Sequence, residues 1–279
     1  MKVGQNMLLW TIHVTEEHFP IFEKLKAVGF DGVEIPVHEG DDAHYAKVRK
    51  ALDDNGLKCT TSTAMPTEEH NAISPDEEKR ATAMDYMKFV LDRGAVLGAE
   101  ALAGPFYQPL GKFTGEPPTD DERKRAEDFH RGAADYAQER GIRLCVEFLN
   151  RFEAYFLNTT GDAAEHVRRV NHPNFGAMFD TFHANIEEKD PVQAVVDNID
   201  AIKHVHICSN DRGAPGKGHI PFKEIIGALR AGGYDEWFTI ESFGRAMPVL
   251  AAATCVWRDF FESPEEVYRE GFKTITKYA

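Results

Sequence analysis

The sequence predicts an α/β fold of the (β/α)8 barrel type, in which eight parallel strands alternate with helices. Short apolar or β-branched runs alternate with longer stretches of helical period along the chain, a pattern that indicates βα units around a parallel sheet. The length of 279 residues suits one such barrel, which typically needs about 250 residues. Because no shift in composition marks a boundary, we expect a single barrel domain over residues 1–279.

The first half of the chain contains four predicted strands, at Val3–Trp10, Gly32–Pro36, Leu57–Ser62 and Ala99–Ala103. Thr15 opens the first helix and Gly29 closes it, because Thr is a favoured N-cap and Gly a favoured C-terminal residue. The second helix is predicted over Asp42–Asn55. The run Ser74–Glu77 predicts the third helix start, with Ser as the cap, Pro in the first helical position and Glu completing a capping box.

The turn-rich segment Phe106–Thr119 separates the two halves and is expected to lie over the barrel mouth. The run Thr119–Glu122 is a second capping box, and its helix is predicted to end near Gly141. The remaining strands are predicted at Arg143–Glu147, Gly176–Asp180, Ala201–His206 and Trp237–Glu241. These bring the total to the eight strands that such a barrel requires.

The composition limits the classes of function. Acidic residues number 46 and basic residues 32, for a formal charge of −14, which disfavours phosphate backbones and anionic membranes as partners. The four cysteines are scattered singly, without the paired spacing of zinc or disulfide frameworks. No run approaches the roughly 18 apolar residues of a membrane span, and no signal peptide is evident. We therefore expect a soluble, cytoplasmic protein with a small-molecule substrate.

Four consecutive predicted strands end in side chains that can bind a metal: Glu147, Asp180, His206 and Glu241. Active sites of these barrels lie at the carboxyl ends of the strands, and the four residues are spaced by about one βα unit of roughly 30 residues. Their side chains should therefore converge. Three carboxylates and one imidazole favour Mn²⁺, Mg²⁺ or Co²⁺, with Zn²⁺ still open, and without a cation the carboxylates would repel one another.

Each of these residues also has a structural interpretation. A carboxylate at a strand end can cap the next helix or pair with a lysine, and His206 shares its strand face with His204, so either could be a hydrogen-bonded core histidine. Glu34 is another acid near a strand end. The combination favours a metal site, because polar residues that could bind a polyol follow the same strands: Asn150, Glu153, His183 and Arg212.

Several motifs in the second half of the chain are distinctive: Val146-Glu147, Asn150-Arg151-Phe152-Glu153, Leu157-Asn158-Thr159, the run from Asp180 to Glu188, Pro215-Gly216-Lys217-Gly218 and Val256-Trp257-Arg258. Together they resemble the ketose 3-epimerases typified by D-tagatose, D-allulose (psicose) and L-ribulose 3-epimerases, within the xylose-isomerase-like TIM barrel superfamily. The resemblance implies one divalent cation, with Mn²⁺ expected and Co²⁺ or Mg²⁺ as alternatives, and a homodimer or homotetramer.

The resemblance also implies roles for individual residues. Glu147, Asp180, His206 and Glu241 would bind the metal, and Glu153, His183 and Arg212 would bind the sugar. Glu147 and Glu241 would also be the catalytic pair: one removes the C3 proton of a free keto-sugar to give a cis-enediolate, and the other returns it from the opposite face. The metal would polarise the ketone and its neighbouring hydroxyl.

The chain departs from the family pattern at two places. Cys208 and Ser209 follow the seventh strand where the family usually has Gly and Glu, and Asn6 and Met7 stand where aromatic residues are frequent. Two reactions on the same barrel remain as alternatives, an aldose–ketose isomerisation and a dehydration of the inosose type. A nuclease of the endonuclease IV type is disfavoured by the charge, and a non-catalytic sugar-binding barrel by the retained glutamates.

Overall fold

Eight parallel strands form a closed barrel in the computed structural model, which describes all 279 residues. The strands are β1 (Lys2–Asn6), β2 (Gly32–Pro36), β3 (Lys58–Ser62), β4 (Ala101–Gly104), β5 (Arg143–Glu147), β6 (Phe175–Asp180), β7 (Ile202–Ile207) and β8 (Trp237–Ile240). The helices are α1 (Phe19–Val28), α2 (Asp42–Asp54), α3 (Glu77–Leu97), α4 (Asp120–Gln138), α5 (Thr160–Val170), α6 (Thr181–Glu187), α7 (Pro191–Asn198), α8 (Phe222–Ala231), α9 (Pro248–Ala253) and α10 (Pro264–Tyr278). The predicted fold class is confirmed.

The barrel closes where β1 pairs in parallel with β8, with Val3 opposite Phe238. Every other strand pairs with its neighbours in the chain, so all eight carboxyl ends meet at one mouth. One cluster of 65 buried apolar residues joins the strands to the surrounding helices. No helix is long and apolar enough to cross a lipid bilayer.

The first strand is shorter than the sequence predicts. It ends at Asn6 rather than Trp10, because the Asn6 side-chain oxygen accepts a hydrogen bond from the Leu8 amide at 2.8 Å and caps a 3₁₀ turn over Met7–Leu9. Asn side chains often compete with the strand ladder in this way. The turn places the Asn6 side-chain amide at the barrel mouth, beside Glu34 and Glu241.

The start of α3 also differs from the prediction. The N-cap is Asp76, whose carboxylate accepts from the Glu78 amide at 2.9 Å, whereas Ser74 accepts from the Asp76 amide one turn earlier. Asp is as good a cap as Ser and adds negative charge at the positive end of the helix. The capping box at Thr119 is present as predicted, and the other strands shift only at their ends.

The amino-terminal end of the barrel is held by charged and hydrogen-bonded contacts of Glu100. Glu100 pairs with Lys2 and with Lys58, and it accepts from the Trp237 indole at 3.0 Å. Charged contacts at this end contribute to the stability of such barrels, whereas chemistry occurs at the opposite mouth. The four buried acids, Glu34, Glu147, Asp180 and Glu241, lie in the strands or directly after them.

Candidate active site and metal centre

The four predicted metal ligands come together at the mouth. Glu147 and Asp180 are the last residues of β5 and β6, His206 lies near the end of β7, and Glu241 follows β8 directly. All four are buried, and one ligand atom from each lies within 4.8 Å of the others. Adjacent parallel strands therefore bring together the four side chains that the strand-end pattern predicts, and we call Glu147, Asp180, His206 and Glu241 the quartet.

The two carboxylate oxygens of Asp180 make different contacts, one capping a helix and the other facing the quartet. Its Oδ1 accepts a hydrogen bond from the Phe182 amide at 2.6 Å and caps α6. Its Oδ2 lies 3.8 Å from Nδ1 of His206. The cap fixes the carboxylate and leaves the second oxygen directed at the quartet.

The two ring nitrogens of His206 have different surroundings. Nε2 is hydrogen-bonded to Oε1 of Glu34 at 2.8 Å, whereas Nδ1 is buried without a hydrogen-bond partner and lies 3.4 Å from Oε1 of Glu241. Histidines that bind metals usually donate their other ring N–H to a carboxylate or carbonyl. An unpartnered buried nitrogen facing three carboxylates therefore fits a ligand for a divalent cation.

Glu34 is a site residue that sequence reasoning considered only as a competing acid. It is fully buried, and besides His206 its carboxylate accepts from Asn6 Nδ2 at 2.8 Å and from Thr60 Oγ1 at 3.0 Å. Nε2 of His204 lies 2.9 Å from its other oxygen without forming a hydrogen bond. The bonds from Asn6 and Thr60 have ordinary hydrogen-bond lengths, so we interpret Glu34 as a hydrogen-bonded support behind His206. Its signal in the sequence was an acid in an otherwise apolar run.

The quartet brings three carboxyl groups close together, and Arg212 pairs with only two of them, Asp180 and Glu241. Burial, together with Glu241 and Asp180, raises the pKa of Glu147 well above its usual value. Burial also raises the pKa of Asp180 to about 6, although Arg212 opposes the shift. For Glu241 burial alone would raise the pKa, but His206 and Arg212 outweigh it and lower the pKa. A bound cation would relieve this repulsion, since it stabilises the ionised carboxylates.

Arg212 reaches the quartet through an unusual backbone conformation. Its φ is +64°, a region that non-glycine residues seldom adopt and that often marks functional sites. The buried guanidinium donates from Nη1 to Glu241 Oε2 at 2.8 Å and to Asp180 Oδ2 at 3.3 Å. It stacks over the Phe182 ring at 3.8 Å. Arg212 is thus held beside the carboxylates of the quartet, on the wall of the cavity.

The other two predicted sugar-binding residues are linked by Asn150. Its backbone amide donates to Nδ1 of His183 at 2.9 Å, and its side-chain amide donates to Oε1 of Glu153 at 2.7 Å. Nε2 of His183 lies 3.1 Å from Nη2 of Arg212 and 3.5 Å from Oε1 of Glu147. Burial, followed by Arg212 and His206, lowers the pKa of His183 well below its usual value, which keeps that ring neutral.

A cavity of 170 Å³ lies directly above the quartet. Six of the seven predicted site residues line it, and Asp180 lies behind the wall: the lining members are Glu147, Glu153, His183, His206, Arg212 and Glu241. Apolar side chains from other loops complete the wall, including Leu8, Leu110 and Phe243. Such a cavity suits a small polar molecule whose oxygens can meet a cation on one side and hydrogen-bonding groups around it.

The chain is similar to known proteins over nearly its whole length. Residues 22–278 match the family described as xylose isomerase-like TIM barrel. The chain is 33% identical to the D-psicose 3-epimerase of Agrobacterium fabrum, with 93% of this chain and 91% of that protein covered. It is 30% identical to a probable ketose 3-epimerase of Synechocystis, with 99% and 96% covered.

Solved structures show the same likeness. The D-allulose 3-epimerase of Methylomonas in complex with D-allulose superposes with a TM-score of 0.92 at 26% identity, covering 100% of this chain and 97% of that one. The D-psicose 3-epimerase of Clostridium cellulolyticum with D-tagatose gives a TM-score of 0.90 at 28% identity, with 100% and 98% covered.

Proposed function

Because the chain belongs to the xylose isomerase-like TIM barrel family and, within it, to the ketose 3-epimerases, we propose that it interconverts C3 epimers of a free keto-sugar with the help of one divalent cation. The observation that carries the proposal is the convergence of Glu147, Asp180, His206 and Glu241 below the cavity. Three hard oxygen ligands and one imidazole favour Mn²⁺, with Co²⁺ and Mg²⁺ as alternatives. When bound, the cation would polarise the ketone and its neighbouring hydroxyl.

Glu147 and Glu241 would carry the proton. They are the outer members of the quartet, on β5 and β8, with Asp180 and His206 between them, so a sugar over the quartet presents opposite faces of C3 to the two carboxylates. Their surroundings also differ, since the pKa of Glu147 is raised and that of Glu241 is lowered. Carboxyl groups whose pKa values are driven apart suit a pair in which one accepts a proton while the other donates it.

The remaining predicted residues would bind and orient the sugar. Glu153 offers a carboxylate acceptor, His183 an imidazole, and the Arg212 guanidinium offers donors beside the carboxylates. Together they would hold the sugar so that removal of the C3 proton gives an enediolate without rotation of the carbon skeleton. Orientation of this kind lowers the activation barrier, because the translational and rotational entropy is lost on binding and not in the chemical step.

Deuterium exchange tests the proposal directly. The purified protein, stripped of metal and reloaded with Mn²⁺, is incubated in D₂O with a panel of free ketoses, and exchange at C3 is followed by NMR. We expect exchange and a C3-epimeric product, both lost in the stripped protein. Formation of an aldose would instead favour the aldose–ketose isomerase, and loss of water the dehydratase.

We also propose that the protein assembles as a homodimer or homotetramer. Exposed apolar side chains gather on the loops around the mouth, and they include Leu110, Phe113, Phe152 and Trp257. Exposed apolar patches of this kind commonly mark protein interfaces. Light scattering after size exclusion would measure the mass in solution, and a mass equal to the 31.3 kDa of one chain would contradict the proposal.

A further inference from the structure

Two histidines are hydrogen-bonded to each other in the core, apart from the quartet. His130 of α4 is fully buried, and His166 of α5 is 4% exposed. Nδ1 of His130 lies 2.8 Å from Nε2 of His166, and Nε2 of His130 lies 3.3 Å from the carbonyl oxygen of Phe106. Neither ring lines the cavity above the quartet, so the proposed reaction gives this histidine pair no role.

The Phe106 carbonyl determines where the hydrogens of the histidine pair lie. A carbonyl oxygen can only accept, so Nε2 of His130 carries a hydrogen. In a neutral ring Nδ1 of His130 is then an acceptor, and Nε2 of His166 donates to it. Two neutral rings therefore form a continuous chain of hydrogen bonds from His166 through His130 to Phe106.

A proton added to either ring disturbs this chain. On His130 it can add only at Nδ1, so His166 must give up the hydrogen on its Nε2. On His166 it adds at Nδ1, where Arg123 and Arg169 oppose a further positive charge. Burial lowers the pKa of His130 to about 4, and burial, His130 and the two arginines lower the pKa of His166 well below its usual value.

The surroundings of the histidine pair are apolar. Four phenylalanine rings have centroids 5.1–5.9 Å from those of the histidines: Phe106, Phe129, Phe156 and Phe175. On the two helices, Glu127 and Glu165 both pair with Arg169, and no carboxylate raises the pKa of either histidine. A charge on the histidine pair would therefore be buried without a counter-ion, which is unfavourable.

The histidine pair contacts a first loop of the barrel mouth through Phe106. This residue begins the described chain of contacts in the loop between β4 and α4, residues 105–119. The same loop carries Leu110, which lines the cavity. Breaking the bond from His130 would therefore loosen the attachment of a loop that forms part of the cavity wall.

A second loop packs on the other ring. Phe156, whose ring centroid is 5.8 Å from that of His166, lies in the loop between β5 and α5, residues 148–159. That loop carries Glu153 of the cavity wall. The two loops are joined directly, since the Gly111 amide donates to the Glu153 carbonyl at 2.8 Å. Both loops are therefore expected to respond together to a change in the histidine pair.

We propose that His130 and His166 form an acid-sensitive latch for these two loops. While both rings are neutral, the loops stay packed on them, and protonation of either ring loosens both loops and with them the wall of the cavity. The inference concerns the packing of the loops and does not depend on the proposed reaction.

Hydrogen exchange followed by mass spectrometry tests the latch at pH 7.5 and pH 5, with rates corrected for the intrinsic effect of pH. A histidine whose pKa is lowered by packing costs nothing above its ordinary pKa of 6.5 and increasingly disfavours the packed state as the pH falls toward about 4. The protection of residues 105–119 and 148–159 should therefore fall at least about tenfold between the two pH values.

Two variants separate the histidine pair from other acid effects. The double variant His130→Phe/His166→Phe keeps two aromatic rings that cannot be protonated, at the loss of the long hydrogen bond to Phe106, and its loop protection should not fall at pH 5. His219→Gln replaces an exposed histidine outside both loops and should behave like the wild type. Melting temperatures show whether each variant is folded.

Two results would overturn the latch. One is equal protection of the wild-type loops at both pH values. The other is an equal fall in the wild type and the double variant, because both contain the same quartet and a carboxylate effect would appear in both.

Nuclear magnetic resonance of the wild type labelled with ¹⁵N-histidine tests the pair without any substitution, and so decides the matter if the double variant does not fold. We expect both rings to carry their hydrogen on Nε2 and to remain neutral well below pH 6.5. Protonation of either ring near pH 6.5 while the loops keep their protection would show that the histidine pair does not control them.

Discussion

Nε2 of His206 lies 2.8 Å from Oε1 of Glu34, and this one contact determines which nitrogen of the ring faces the carboxylate quartet. Glu34 is fully buried and is itself held by Asn6 and Thr60, so the ring cannot turn without breaking a charge-assisted hydrogen bond. Asn6 also lies 3.4 Å from Oε1 of Glu241. Glu34 and its partner Asn6 thereby contact two members of the quartet, His206 and Glu241.

The substitution Glu34→Gln should weaken metal binding. An amide is a poorer acceptor than a carboxylate and leaves His206 less firmly oriented, and loss of such outer partners typically costs about 10- to 100-fold in metal affinity. Competition with a chelator for Mn²⁺ measures the effect. Glu100→Gln, at the opposite end of the barrel, is the matched control and should bind metal normally. Equal affinities for both variants would show that Glu34 does not position His206.

Replacing either of the two glutamates proposed to transfer the proton should nearly abolish proton exchange. Glu147→Gln and Glu241→Gln each keep the size of the side chain but remove the base or acid, and general acid–base groups typically contribute about 10²- to 10⁴-fold in rate. The measurement is C3 exchange in D₂O at saturating Mn²⁺, with metal content determined in parallel. A variant that binds metal and exchanges within tenfold of the wild-type rate would remove that glutamate from the proposed pair.

Metal binding should strengthen as the pH rises through about 6. In the metal-free protein the pKa of Asp180 is raised to about 6 and that of Glu147 is raised further, so a cation must displace protons from both carboxyls. Proton release on binding makes affinity increase with pH. Titrations with Mn²⁺ between pH 5 and 8, in buffers of different ionisation enthalpy, measure the affinity and the number of protons released. An affinity independent of pH would contradict the raised pKa values.

The stability of the metal-free protein should show the opposite trend. A carboxyl whose pKa is raised by folding stabilises the fold below its unfolded pKa and loses that contribution as the pH rises through its folded pKa. Asp180 should therefore destabilise the stripped protein progressively as the pH rises from its ordinary pKa of 3.8 to about 6. The difference in melting temperature between loaded and stripped protein should widen between about pH 4 and pH 6. A constant difference across that range would contradict the prediction.

Gly104 should tolerate no side chain. It has φ of +139° and ends β4 at the cavity wall, and a Cβ there would collide with the Thr63 carbonyl oxygen. We expect Gly104→Ala to destabilise the protein by about 3 kcal/mol, since it combines backbone strain with a steric clash. Gly111 has φ of +69° with open space around it, so Gly111→Ala should cost only about 1 kcal/mol. Urea denaturation measures the free energy of unfolding of both variants. Equal decreases in the two variants would show that the predicted clash at Gly104 does not occur.

Much of the fold followed from local patterns. Alternating apolar runs and helix-capping residues predict the eight strands and the order of the barrel, because periodicity and turn chemistry depend on near neighbours in the chain. The first strand was predicted too long because the Asn6 side chain ends it through its bond to the Leu8 amide. The α3 start was misplaced because Ser74 and Asp76 are both good caps. The single-domain prediction and the roles of the individual site residues stay predictions.

The sequence by itself determined the quartet of Glu147, Asp180, His206 and Glu241, because parallel strands of one barrel must bring their carboxyl ends to the same mouth. Only the tertiary structure decided how those side chains are supported. Glu34 of β2 meets His206 of β7 across the barrel, and His38 in the loop after β2 meets Tyr86 of α3. Such contacts join residues far apart in the chain, and their existence depends on strand register and helix packing, which no local pattern of residues specifies.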